Sequence, residues 1–197
     1  MGARDDILGR VREALAHRQR TDAPEYPDDV AVARGGAGDR VALFSERLVE
    51  AGGRVFQDVA ALAAWLRAQG ATRGYADPAL RFDLGADLSI EGVFSRERVD
   101  EYQFGITRAR GGIAETGSII LDDRGTSSRL GSLAPWIHVA VVAPERIYPR
   151  LADAIASLGD DPYVIFCTGP SKTADVEGIL IEGVHGPGHQ IALLLPG

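Results

Sequence analysis

Cysteine is nearly missing from this chain: Cys167 is the only one among 197 residues. A single thiol excludes an intramolecular disulfide, a thiolate zinc cage and a cysteine-held iron–sulfur cluster within the chain. Any electrons its function requires are therefore expected to travel on other molecules. Also lacking is an apolar run approaching the roughly 18 residues of a membrane span, and the charged start MGARDD has no signal-peptide core. Positive charge is in deficit, with 21 Lys and Arg against 28 Asp and Glu for a formal charge of −7. That balance opposes a broad nucleic-acid surface, although it leaves room for a local basic pocket. No internal repeat or low-complexity tract is present. Asp123, His138 and His185 are too scattered to suggest a metal cage. The expectation is a chain with no cofactor, no metal, no nucleic-acid partner and no membrane segment.

What remains is ordinary globular material: 45% hydrophobic residues in a length sufficient for one domain with a substantial core. Ile7, Leu8, Val11 and Leu15 recur at helical spacing, which predicts an amphipathic helix over Asp5–Arg20. The Pro- and Gly-rich stretch Thr21–Gly38 reads as a linker, so residues 1–38 form a leading helix and linker, and residues 39–197 form the domain. From Asp39 the pattern alternates: helix over Val41–Glu50, strand over Arg54–Gln57, helix over Val59–Gln69, strand over Thr72–Ala76. This rhythm predicts an α/β fold with a mostly parallel sheet and helices on both faces. Leu80–Asp100 resists assignment. Strands are expected over Gln103–Thr107, Ser118–Leu121 and Trp136–Val142, and a helix over Glu145–Leu158. A closing βαβαβ run through Tyr163–Cys167 and Gln190–Leu195 should gather the functional loops at the strands' carboxyl ends.

The motif with most chemical content follows Cys167. Gly169, Pro170, Ser171, Lys172, Thr173 and Asp175 form a turn after an apolar run, and Val176, Ile179 and Leu180 then fit a helix over Thr173–Ile181. Free amides at such a helix start, aided by the dipole and by Lys172, can hold a carboxylate or phosphate. A nucleotide-binding P-loop is excluded, because Phe166 and Ser171 stand where its two glycines belong. The ordinary alternative is a helix start capped by Ser171 or Thr173. That reading leaves Lys172 unexplained, as a cation at the end the dipole disfavours. His185 lies in the turn Gly183–Gly188, where a side chain titrating near neutrality can donate, accept or shuttle a proton, or simply bond a carbonyl. The turn Ala114–Ser118 offers Glu115 as a base or nucleophile, with Thr116 and Ser118 as hydroxyls around Gly117. A plain polar hairpin explains the same residues. Asp122, Asp123 and Arg124 read as a solvated turn, Arg129 as a secondary ligand candidate, His138 as a satisfied sheet residue, and Cys167 as a small buried hydrophobe rather than a thiolate activated by a helix terminus.

GPSKTADVEGILIEGVHGPG resembles the C-terminal signature of the LUD-domain family, in particular its lactate-utilisation protein C branch. Gly105-Ile106-Thr107, Ile113 to Ser118, Leu133-Ala134-Pro135 and Ile137-His138-Val139 resemble its other signatures in the same order, so the likeness covers roughly Asp39 to Pro196. Members often carry Arg where Lys172 stands, which would make any carboxylate contact here less directional. The resemblance implies a three-layer fold similar to the NagB/RpiA/CoA-transferase group. It also implies a cytoplasmic protein of L-lactate catabolism, working beside an iron–sulfur protein and a cysteine-rich partner. Two functions follow as expectations. One is a non-redox subunit that binds a small anion; the other is a stand-alone enzyme similar to acyl-CoA transferases or sugar-phosphate isomerases, using Glu115 or His185.

Overall fold

The structure, a computed structural model, describes residues 2–16, 18, 39–123, 125, 128–159, 163–174 and 178–196. Its contacts divide the chain into two compact units, Met1–Val32 and Ala33–Gly197. In the first, α1 spans Ala3–Ala16, and Ile7, Val11 and Leu15 repeat every fourth residue on one exposed stripe. The linker expected over Thr21–Gly38 lies outside the described residues.

The second unit begins with α2 (Arg40–Glu50), started by Asp39, whose carboxylate accepts from the amides of Val41 and Ala42 at 3.0 and 3.3 Å. β1 (Arg54–Phe56) leads to α3 (Val59–Ala68), capped in the same way by Asp58 through the amide of Ala61 at 2.7 Å. β2 (Arg73–Ala76), β3 (Ser89–Glu91), β4 (Phe104–Arg108), β5 (Gly111–Ile113) and β6 (Ser118–Asp122) follow. The chain continues through α4 (Arg129–Leu133), β7 (Ile137–Val142), β8 (Ile147–Tyr148), α5 (Leu151–Leu158), β9 (Val164–Cys167), β10 (Lys172–Ala174), β11 (Leu180–Glu182) and β12 (His189–Leu194).

Six strands form one parallel sheet in the order β1-β12-β7-β4-β2-β3. Its central strands are covered on both faces, which is why β7 (IHVAVV) and β12 (HQIALL) read as nearly unbroken apolar runs. Ile106, Val139, Ile191 and Leu193 pack on one face with Leu62 and Leu66 of α3. On the other face Ala140, Val142, Ala192 and Leu194 meet Phe44 and Leu48 of α2 together with Ile119 and Leu121 of β6. That second face therefore carries α2 and a smaller sheet, β8-β5-β6-β9, instead of helices alone. Strand alternation makes this arrangement work, because Ile120 of β6 points the opposite way and packs with Ala154 and Leu158 of α5. No described helix is long and apolar enough to cross a membrane.

Three expectations need correction. Glu145–Leu158 is not one helix: a 3₁₀ turn over Pro144–Arg146 and the short strand β8 precede α5. Pro149 lacks an amide hydrogen and keeps Tyr148 extended, so the helix cannot extend back through it. β9 does not join the parallel sheet; it pairs antiparallel with β6, Ile119 opposite Cys167. Thr173–Ile181 is not a helix either. β10 and β11 form an antiparallel hairpin with Lys172 opposite Glu182 and Thr173 opposite Ile181. Gly178, at φ +78°, and the β-branched Thr173, Ile179 and Ile181 favour extended chain over a helix.

The unassigned stretch Leu80–Asp100 is held both by Leu84 and Leu88, buried in the core, and by a cluster of charges. Glu91 on β3 accepts from Arg73 at 2.8 Å, from Arg98 at 2.8 and 2.6 Å, and from Tyr102 at 2.9 Å. Arg98 foremost, with Tyr102 and Arg73, holds its carboxyl down to about 2.

Candidate functional site

The turn Ala114–Ser118 joins antiparallel β5 and β6 and lies against α2. Gly117 sits at φ +67°, and a Cβ there would fall 2.2 Å from the amide nitrogen of Leu48, so both backbone shape and close approach demand glycine. Glu115 accepts from the amide of Leu151 at 2.6 Å. Its carboxylate thus closes the start of α5, where the helix dipole favours a negative charge. Thr116 and Ser118 share a hydroxyl contact of 2.7 Å, and Ser118 continues to Thr168 at 2.5 Å. The result is a row of three hydroxyls, of which Ser118 is buried and Thr116 exposed. Thr168 escaped sequence reasoning, because its position beside Ser118 becomes visible only once the β6–β9 register is known.

Gly169 extends this row toward α2. It adopts φ +79°, and a Cβ would stand 2.4 Å from the carbonyl oxygen of Ala51. Pro170 covers Gly52, at about van der Waals distance from where its Cβ would be. The Lys172 ammonium donates to the Ala51 carbonyl at 3.2 Å and lies 3.7 Å from Glu182. Lys172 therefore serves a helix C-terminus, where a cation complements the dipole, and not the helix start expected from sequence. Its charge needs no ligand to explain it. Thr173 is half-buried in β10, and Asp175 lies outside the described residues.

Ser171 ties the two C-terminal motifs together. Its amide donates to the Pro187 carbonyl at 2.9 Å, and its own carbonyl accepts from Gly183 at 2.8 Å. His185 is exposed in the loop between these contacts and makes no side-chain hydrogen bond or ion pair among the described residues. The structure thus assembles Thr116, Gly117, Ser118, Gly169, Pro170, Ser171 and Lys172 around the end of α2, while Glu115 is engaged by α5. This neighbourhood precedes β1 and β12, so it lies at the amino edge of the parallel sheet and not at the carboxyl edge expected.

Two further motif residues meet inside the sheet. His138 on β7 lies 2.9 Å through Nε2 from the Thr107 hydroxyl on β4 and 3.0 Å through Nδ1 from Gln190 Oε1 on β12. The amide oxygen can only accept, so Nδ1 carries the hydrogen and Nε2 accepts from Thr107. Burial pushes the His138 pKa down to about 4 against a smaller opposing effect of Gln190, so the ring is neutral at pH 7. Burial also pushes the Cys167 thiol up to about 11, which removes the activation a helix terminus would have supplied. Asp122 is buried and bonds Arg110 at 2.8 Å, instead of forming the solvated turn expected. Arg129 pairs with Asp123. Among the described residues no group of His, Cys, Asp and Glu could hold a metal ion.

Comparison with known proteins bears on this arrangement. The LUD domain family model matches residues 60–195. The chain is 28% identical over 197 residues to "Lactate utilization protein C" of Deinococcus radiodurans, a match covering 94% of this chain and 92% of that one. To the protein of the same name from Bacillus licheniformis it is 33% identical over 99 residues, 46% of this chain and 41% of the relative, so here the chain spans less than half of its relative's length. A crystal structure of a DUF162 family protein from Deinococcus radiodurans superposes with a TM-score of 0.57 at 22% identity, covering 79% of this chain and 95% of that one. That likeness concerns the fold.

Proposed function

This chain belongs to the LUD domain family, and on that premise we propose that it acts as a non-redox component of a cytoplasmic L-lactate utilisation system. Iron–sulfur and cysteine-rich partner proteins carry the electrons. The observation that carries this reading is the near full-length likeness to "Lactate utilization protein C" of Deinococcus radiodurans, joined to a sequence with one cysteine. A single thiol cannot assemble a cysteine-ligated cluster in this chain. We further assign the fold to the NagB/RpiA/CoA-transferase group, a reading supported by its parallel six-stranded sheet layered between helix and second sheet.

The ligand in this proposal is a small carboxylate such as lactate, held by the hydroxyls of Thr116, Ser118 and Thr168 beside Gly117 and Gly169. Hydroxyls rotate, so the row can turn its hydrogens outward to an anion at little structural cost. Lys172 has three donor hydrogens and uses one on Ala51, so it still adds positive charge nearby. Pro170, Ser171 and Thr173 complete the surrounding loop in this reading. Glu115 is given a structural role, because its carboxylate closes α5. Titration calorimetry with L-lactate tests the site. Ser118→Ala should weaken binding by about tenfold or more, as expected for loss of a hydrogen bond to a charged group worth roughly 1.5–3 kcal/mol. Equal affinity in Ser118→Ala and wild type would remove the hydroxyl row from the site.

A further inference from the structure

A second feature lies at the opposite edge of the parallel sheet, where β2, β4, β7 and β12 end. A cavity of about 720 Å³ opens there, lined by the segments that leave those strands. Open α/β sheets bind ligands in crevices at this edge, and the volume lies within the roughly 300–1,000 Å³ of small-molecule sites. Its charged lining is Arg81, Arg108, Arg110 and Arg146 against Asp122 and Glu145. With Asp77 behind Arg108, four cations stand against three carboxylates, a local positive excess in a chain of formal charge −7.

The inner pair of arginines is built into the fold. Arg108 Nε donates to Asp77 at 2.6 Å, and Asp77, whose side chain is 1% exposed, also accepts from the amide of Ala79 at 2.9 Å. Arg110 donates to Asp122, 2% exposed, at 2.8 Å and to the Ser157 carbonyl at 2.8 Å. Burying two carboxylates is unfavourable unless their partners are well placed, and here they fix two guanidinium groups at the ends of β4 and β5's approach. The outer pair is open. Arg81 donates one hydrogen to the Pro78 carbonyl at 2.9 Å, and the Arg146 side chain makes no hydrogen bond or ion pair among the described residues. Leu80, Phe82 and Leu195 supply an apolar wall beside these charges.

We propose that this carboxyl-edge crevice is a second binding site, taking a phosphorylated organic compound whose phosphates meet the arginines and whose less polar part lies on Leu80, Phe82 and Leu195. Arginine forks match phosphate oxygens in pairs, and the apolar wall gives a sugar or base a surface that inorganic phosphate cannot use. The site stands independently of the hydroxyl row at the amino edge. Calorimetry with inorganic pyrophosphate and ADP as probes tests it. ADP should bind more tightly than pyrophosphate, and affinity for both should fall as salt rises. The double variant Arg81→Ala/Arg146→Ala should lose about tenfold or more in ADP affinity with unchanged thermal unfolding, since both side chains are exposed. Ser118→Ala should bind ADP as wild type does. No binding of either probe at millimolar concentration, or equal ADP affinity in the double variant and wild type, would overturn the assignment.

Discussion

His138 shows how a single side chain couples the sheet interior to pH. Its ring is fully buried between Thr107 and Gln190 and held neutral by burial, with its pKa pushed down to about 4. In the unfolded chain it titrates near 6.5, so below that pH the unfolded state binds a proton that the folded state refuses. Stability from this group is complete above about pH 6.5 and is lost as pH falls toward 4, by roughly 3 kcal/mol in all. Denaturant unfolding across this window should show that decline in the wild type and a flatter one in His138→Leu, although the variant starts less stable because Thr107 and Gln190 lose their partner. Identical slopes would contradict the buried neutral ring. His189, whose pKa is also lowered, keeps its part in both proteins and cancels in the comparison. Cys167 gives a second residue-scale prediction. A thiol raised from 9.0 to about 11 holds roughly a hundredfold less thiolate at pH 8. Alkylation by iodoacetamide should be correspondingly slower in the native protein than in the denatured chain, and equal rates would contradict the burial.

At the scale of elements, caps and register decide what each motif does. Glu115 closes α5 through the Leu151 amide, so Glu115→Ala should lower stability by about 1 kcal/mol, while Glu115→Gln, which keeps an acceptor oxygen, should stay closer to wild type. Thermal unfolding of both variants checks this, and unchanged stability in Glu115→Ala would remove the capping role. Elements with a strong pattern are legible in the sequence: α2 and α3 match the helices expected over Val41–Glu50 and Val59–Gln69 to within a residue, and β7 and β12 announce themselves as apolar runs. Thr173–Ile181 was not, because three apolar positions at helical spacing are too few to outweigh β-branched residues and Gly178 in a hairpin. The consequence reached the site. Sequence alone makes Lys172 a misplaced cation at a helix start, yet the fold sets it against the carbonyl end of α2, 121 residues away in sequence but adjacent in space. Thr168 was equally hidden, since only the antiparallel β6–β9 pairing sets it beside Ser118. Charge-built segments such as β3, pinned through Glu91 by Arg73 and Arg98, leave no periodic trace at all.

Across the whole molecule, the parallel sheet separates two chemically distinct edges. The amino edge carries the motif glycines, the hydroxyl row and Lys172; the carboxyl edge carries the arginine-lined crevice. On the proposed reading, a chain with one cysteine binds and positions its ligand while iron–sulfur partners carry the electrons. The most direct measurement is lactate-dependent reduction of an artificial electron acceptor by the purified chain. The account predicts no turnover by the chain alone, and turnover that requires it once iron–sulfur partner proteins are added. Sustained lactate oxidation by the isolated chain would contradict it.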